Sequence, residues 1–272
     1  MYHLDHIVHF VENPKDAISF FEKLGVHVAS GGEHPQWGTY NALCYFGLSY
    51  IEFIAVQNEE IFQQAAKEPY SLHQSHAIRQ RRNEITRICL RTSKIEEDAK
   101  MFEQAGFDIN GPHRYTRTTP SGEEIGWQLL YIGKKNSKVE YPFFIQWEVE
   151  DQQRYEQLIK NDTIKLHKAG SLTLNEICYL MDNFEPILEV CALCNVAVAI
   201  ETDEKLNASV ATVQLEQTKL SFYKPLGDGE LWDVVMEFGI GISHIVLAGA
   251  NETRAVTYEN GEYHLISEEI TE

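Results

Sequence analysis

Leu4-Asp5-His6-Ile7-Val8 opens a pattern that returns at Ile85-Thr86-Arg87-Ile88-Cys89 and again at Leu174-Asn175-Glu176-Ile177-Cys178. Each copy reads as an apolar strand, a capped amphipathic helix, a tight helix stop and further strands. In the first copy Asn13 is a good N-cap, Pro14 suits the first helical position, and Gly25 stops the helix. Ala17, Phe20, Phe21 and Leu24 give it an apolar stripe at helical spacing. In the second copy Ser93 and Glu96 form a capping-box pattern and Gly106 is the stop. In the third, Asp182 caps and Asn195 takes the terminal glycine's place. Cap-to-stop spans agree to within one residue, which unrelated helices would rarely do. The chain therefore reads as the product of duplication.

After each helix the period becomes strand-like. Copy one offers Val26–Ala29, Tyr40–Phe46 and Ser49–Val56, with Gly47 at a turn. Copy two offers Phe107–Ile109, Gly126–Ile132 and Tyr141–Glu148, and copy three Val196–Ile200, Ser209–Leu215 and Leu220–Tyr223. Ile242–Leu247 echoes the opening strand a fourth time, but only Ala255–Tyr258 and Tyr263–Ile266 follow it, with no helical pattern. The expected fold is α+β, built of tandem βαβββ modules. Module one spans residues 1–58, a connector 59–83 and module two 84–150; residues 151–272 hold a third module and the C-terminal strands. Helices are expected at Glu59–Lys67 and Asp151–Lys160, with a polar stretch running on to Asn83.

Composition narrows the function classes. With 272 residues and 43% hydrophobic content the chain can bury a sizeable core. A net charge of -18 repels phosphate backbones, so a nucleic-acid partner is not expected. No long apolar run is present, so a membrane span is not expected either. The N-terminus lacks a basic region followed by an apolar core, so no secretory leader is expected. Cys44, Cys89, Cys178, Cys191 and Cys194 are odd in number, which suits reduced thiols in a cytoplasm. Cys191 and Cys194 lie on a helix stripe and read as core. P-loop, dinucleotide and nucleophile-elbow motifs are absent.

The strand, helix, three-strand order resembles the vicinal-oxygen-chelate superfamily, which includes glyoxalase I, extradiol dioxygenases and bleomycin-resistance proteins. The loop Gly31-Gly32-Glu33-His34-Pro35-Gln36-Trp37-Gly38-Thr39-Tyr40-Asn41 is similar to the signature of its glyoxalase-like branch, and Pro142-Phe143-Phe144-Ile145-Gln146-Trp147 also fits that branch. The resemblance implies curved mixed sheets, paired modules forming an open cup, and one small-molecule site within it. Metal-using members take one ligand from the first strand and one from the last strand of each module. Carried over, these positions are His6, Glu52, Arg87 and Gln146. An arginine has no free lone pair and glutamine is a feeble ligand, so only His6 and Glu52 remain as firm metal donors. The cofactor expectation is one divalent ion (Zn, Fe, Mn or Ni) or none.

Two enzyme versions follow. With a metal, His6 and Glu52 hold the ion. Without one, Glu52 is a general base beside a carbonyl and Arg87 stabilises the developing oxyanion. His34, Trp37, Gly38, Thr39, Asn41, Gln146 and Trp147 are the expected substrate-binding residues. The chemistry implied is that of a lyase, isomerase or dioxygenase on a small oxygenated metabolite. The alternative is a binding protein that sequesters a small molecule. A homodimer is an expectation from family analogy. His73 and His76 read as solvated residues of the connector, and Arg114 and Arg117 as surface cations with anion neutralisation as their other reading. By strict alternation His6 would share a face with Leu4 and Val8.

Overall fold

The computed structural model describes residues 2–118 and 124–267. The first module comprises β1 (His3–Phe10), α1 (Pro14–Lys23), β2 (Ala29–His34), β3 (Thr39–Phe46) and β4 (Ser49–Val56). Two connector helices follow, α2 (Glu59–Ala65) and α3 (Leu72–Ile78). The second module is β5 (Ile85–Arg91), α4 (Ile95–Gln104), β6 (Asp108–Thr118), β7 (Glu124–Gly133) and β8 (Phe143–Trp147), then α5 (Asp151–Lys160). The third is β9 (Gly170–Leu180), α6 (Glu185–Leu193), β10 (Val198–Asp203), β11 (Ala208–Leu215) and β12 (Thr218–Pro225). After α7 (Glu230–Phe238) come β13 (Gly241–Ala250), β14 (Arg254–Tyr258) and β15 (Gly261–Ile266).

The strands form two curled sheets, β2-β3-β4-β1-β5-β8-β7-β6 and β10-β11-β12-β9-β13-β15-β14. In each module the first and last strands pair in parallel, and the two modules of a sheet meet through antiparallel first strands, β1 with β5 and β9 with β13. The fold is the expected α+β array of tandem βαβββ units. The fourth echo is a genuine repeat: β13 pairs in parallel with β15, and β14 flanks β15. It lacks the helix and the outermost strand.

Local chemistry explains most element ends. Asn13 accepts from the Lys15 amide, Pro14 occupies the first turn, and Gly25 leaves the helix at φ 76°. Gly106 and Asn195 end α4 and α6 at φ 83° and 54°. The expected N-caps of α4 and α6 are not used as such. The α4 cap is Lys94, and the Ile95 amide is satisfied by Gln146 Oε1 from β8 at 2.9 Å. Asn183, not Asp182, accepts from the Glu185 amide.

One apolar core lies between the sheets. It gathers Ile7, Phe53 and Phe144 from the first sheet and Ile177, Phe222 and Leu265 from the second. Phe21 of α1, Phe102 of α4 and Val190 of α6 fill the same interior. Each such fully buried side chain stabilises the fold by about 1.5–3 kcal/mol. The helix-less fourth repeat packs against α1: Phe20 lies 4.8 Å from the Tyr258 ring and Phe21 5.1 Å from that of Tyr263. On its other face the first sheet carries Val8, Phe10, Ile54, Cys89, Leu129 and Phe143, and Phe62 of α2 and Leu72 of α3 close over part of that hollow.

Three details depart from the sequence reading. The polar stretch before Asn83 contains α3, which buries His73 and His76 instead of solvating them. Gly31–His34 form strand rather than loop. Leu4 packs into the inter-sheet core with Ile7 and not beside His6, because Leu4 faces Leu90 while His6 faces Cys89, and the extra residue, Asp5, bulges the strand.

Candidate functional site

β1 brings His6 to the floor of the hollow, and its neighbour Asp5 fixes it there. Asp5 is fully buried, and its Oδ1 lies 2.8 Å from His6 Nδ1. Its Oδ2 accepts from Trp147 Nε1 at 2.9 Å, Arg154 Nη1 at 3.2 Å and Arg91 Nη1 at 3.3 Å. Burial alone would raise this carboxyl's pKa, but Arg154, His6 and Arg91 override it and hold it well below the ordinary range. An anionic Asp5 assigns the Nδ1 proton to His6 and turns Nε2 toward the hollow. The His6 ring stacks on Tyr50 at 4.8 Å and meets the edge of Phe143 at 5.4 Å.

Glu52 projects from β4 between the back-facing Ile51 and Phe53. Its Oε1 accepts from Asn41 Nδ2 at 2.5 Å, and its Oε2 stands 3.7 Å from His6 Nε2. The β2–β3 hairpin builds the Asn41 position. Gly32 donates its amide to Asn41 Oδ1 at 2.8 Å, and a Cβ on Gly31 would lie 1.9 Å from that same oxygen. His34 completes the chain: Nε2 is 3.5 Å from Asn41 Nδ2 and Nδ1 is 3.0 Å from Thr39 Oγ1. Burial pushes the His34 pKa down, with Glu52 opposing and Arg117 and His6 reinforcing. The neutral ring therefore accepts from Asn41 and donates to Thr39.

The hollow spans about 650 Å³, counting its mouth. Its walls are aromatic, with Trp37, Tyr45, Tyr50, Trp127, Tyr131 and Trp147 among them. Arg117 of β6 lines it too, instead of standing on the open surface. α3 contributes His73, tilted against Trp37 at 5.3 Å. Burial, with His34 and His76 nearby, pushes the His73 pKa down to about 3. Its Nε2 is buried with no hydrogen-bond partner among the described residues.

Of the residues expected at this site, the structure gathers His6, Glu52, His34, Trp37, Asn41 and Trp147 around the hollow. Thr39 stands behind His34. Gly38 serves the turn: it has φ 65°, and its carbonyl accepts from the Gln57 and Asn58 amides ahead of α2. Two expectations are corrected. Arg87 does not line the hollow. Its guanidinium donates to Tyr141 O, Tyr70 O and Ser75 Oγ, behind the Phe143 and Tyr131 rings at 5.4 and 5.7 Å. Gln146 faces the opposite side of β8, where it caps α4. Register explains this: Val8 faces Glu52 in the β1–β4 pair and Cys89 faces Phe143 in the β5–β8 pair, so Phe143 is the counterpart of Glu52. Asp5, Arg91 and Arg154 were missed as site supports. A buried aspartate beside a strand histidine was the available signal.

The donor set does not suit a divalent ion. His6 and Glu52 face module-two positions filled by Arg87 and Phe143, neither of which can ligate, and an amide of Asn41 occupies Glu52. Among the described residues no three His, Cys, Asp or Glu side chains gather as a metal centre. In the second sheet Glu176 is engaged by Ser221 Oγ and Lys219, while His244 stacks on His264 at 4.5 Å.

No helix among the described residues is long and apolar enough to cross a membrane. No curated protein matches the chain in sequence. A hypothetical protein from Staphylococcus aureus has the same fold, with a TM-score of 0.80, 22% identity and coverage of 98% of this chain and 100% of its own. A triple mutant of 4-hydroxymandelate synthase from Streptomyces coelicolor aligns at TM-score 0.54 and 10% identity, over 90% of this chain and 70% of that one. The sequence matches the family described as "Glyoxalase-like domain" over residues 4–192. With its tandem modules and that match over most of its length, the chain belongs to the glyoxalase-like domain family.

Proposed function

We propose that the cup binds a small, flat carbonyl compound and that Glu52 and His6 move a proton on it without a metal. The observation that carries this reading is the facing pair itself: Glu52 Oε2 and His6 Nε2 lie 3.7 Å apart in an aromatic hollow. Each is oriented by a dedicated partner, Asn41 on Glu52 and Asp5 on His6. Glu52 takes the proton from the carbon next to the carbonyl, and the electron pair moves onto the oxygen as an enolate. His6 Nε2 exchanges the proton between Glu52 and that oxygen. Return of a proton to carbon completes an isomerase-type step. The unpartnered Nε2 of His73 is the natural hydrogen-bond partner for a ligand polar atom. Arg117 favours a ligand with an anionic end.

The test is deuterium wash-in at the carbon next to the carbonyl, followed by NMR, with phenylpyruvate, phenylacetaldehyde and dihydroxyacetone as probes. Exchange above the buffer rate that disappears in Glu52→Gln supports the assignment. Exchange that persists in Glu52→Gln refutes it. The ring-lined walls also favour a second reading, sequestration, for which the mark is saturable binding with no exchange in any probe.

A further inference from the structure

A second cavity opens on the far side of the Phe143 and Tyr131 rings. It spans about 1260 Å³ including its mouth and lies between α3 and the turn that joins β7 to β8. Its charge runs against that of the whole chain. Arg79, Arg87, Lys134, Lys135 and Lys138 line it with one acid, Glu140, in a protein of net charge -18. Two of these cations are neutralised locally: Arg79 by Glu84 and Glu140 at 2.9 and 3.0 Å, and Lys134 by Glu189 at 2.5 Å. Arg87, Lys135 and Lys138 have no acidic partner among the described residues.

Arg87 is the informative member. It is 4% exposed, yet its partners are all neutral: two carbonyls and a hydroxyl. Those bonds use four of the five guanidinium N–H groups and leave the cation without an ion-paired carboxylate among the described residues, since Glu140, which acts on it from farther off, is paired with Arg79. A buried charge in that state is costly unless an anion completes the site. A purely structural strap between α3 and Tyr141 would need hydrogen bonds there, not a permanent positive charge.

We infer that this cavity is an anion site, distinct from the cup, that takes a phosphate-bearing small molecule, with Arg87 at its inner end and Lys135 and Lys138 at its rim. Three cations without ion-pair partners among the described residues call for a multiply charged group and not a single carboxylate. The volume admits a ligand larger than the phosphate itself.

Isothermal titration with pyrophosphate, with acetate as comparator, tests this on the full chain. The expected result is saturable pyrophosphate binding at one site per chain, with acetate at least about tenfold weaker. The rim variant Lys135→Ala/Lys138→Ala, which alters only side chains outside the core, should weaken pyrophosphate about tenfold. The control Lys23→Ala/Lys100→Ala, on α1 and α4, should bind as the unaltered protein does. Arg87→Gln should abolish binding, and circular dichroism shows whether that variant is folded. The inference is overturned if pyrophosphate does not saturate, if acetate binds equally well, or if the control loses as much affinity as the rim variant.

Discussion

Acidification should loosen the seam between the two sheets, and His9 is where the effect can be isolated. His9 is wholly buried on β1, and the second sheet holds both ring nitrogens. Nε2 lies 3.1 Å from the Glu259 carbonyl, so it carries the proton, and Nδ1 lies 2.5 Å from the Tyr263 hydroxyl, which must donate. A second ring proton would force the Tyr263 hydroxyl to turn its hydrogen away and accept instead, and would place a charge in a fully buried site. Burial pushes the His9 pKa down to about 4, with the Glu259 carbonyl opposing weakly. The unfolded value is about 6.5, so between the two the unfolded chain binds more protons and stability falls as pH drops. Linkage gives a loss of about 0.2 kcal/mol at pH ~7 and about 2 kcal/mol at pH ~5 from this ring alone. Urea denaturation of the protein and of His9→Gln at both pH values measures it. The variant is less stable at neutral pH, having exchanged its ring contacts, but its loss on acidification should be about 2 kcal/mol smaller. Equal losses in both proteins would show that His9 titrates normally in the fold and would refute the reasoning.

Three further outcomes follow from the same contacts. Asp5→Asn strips the counter-charge from Arg154, leaves Arg91 with Asp151 alone, and unpins His6 and Trp147; it should cost about 3–5 kcal/mol in urea denaturation and reduce proton exchange at the cup. Gly31→Ala places a methyl 1.9 Å from Asn41 Oδ1; displacement of Asn41 frees Glu52 Oε1 and should cost about 1–3 kcal/mol, with a matching fall in exchange rate. Phe102→Ala opens a cavity in the inter-sheet core; the midpoint of thermal unfolding should drop in line with about 3–5 kcal/mol, with ligand affinity at the cup unchanged.

The strands and helix stops were legible because their signals are local. Gly25, Gly106 and Asn195 mark helix ends through a backbone conformation few residues tolerate, and that is where they stand. Glu52 was legible because it is a carboxylate between Ile51 and Phe53, and His6, which shares its strand with His3, Asp5 and His9, was legible through the family resemblance. The module-two partners were not. β8 is apolar on both faces, so Phe143-Phe144-Ile145-Gln146-Trp147 offers no alternation to fix its phase, and pairing Glu52 with Gln146 instead of Phe143 is an odd-numbered slip that turns the side chain to the other face. α3 was hidden for a different reason. His73 and His76 look hydrophilic in isolation, and only the aromatic surroundings of Phe10, Trp37 and Phe62 make them core residues.

The fourth repeat has shed its helix without leaving its back bare, because Phe20 and Phe21 of α1 press on Tyr258 and Tyr263. One helix thus shields the strand bearing Glu52, through Phe21 against Phe53, and the last described strands together. Trimming the last strands would strip cover from the very unit that shapes the cup, so the polypeptide's two extremities stand or fall as a single piece.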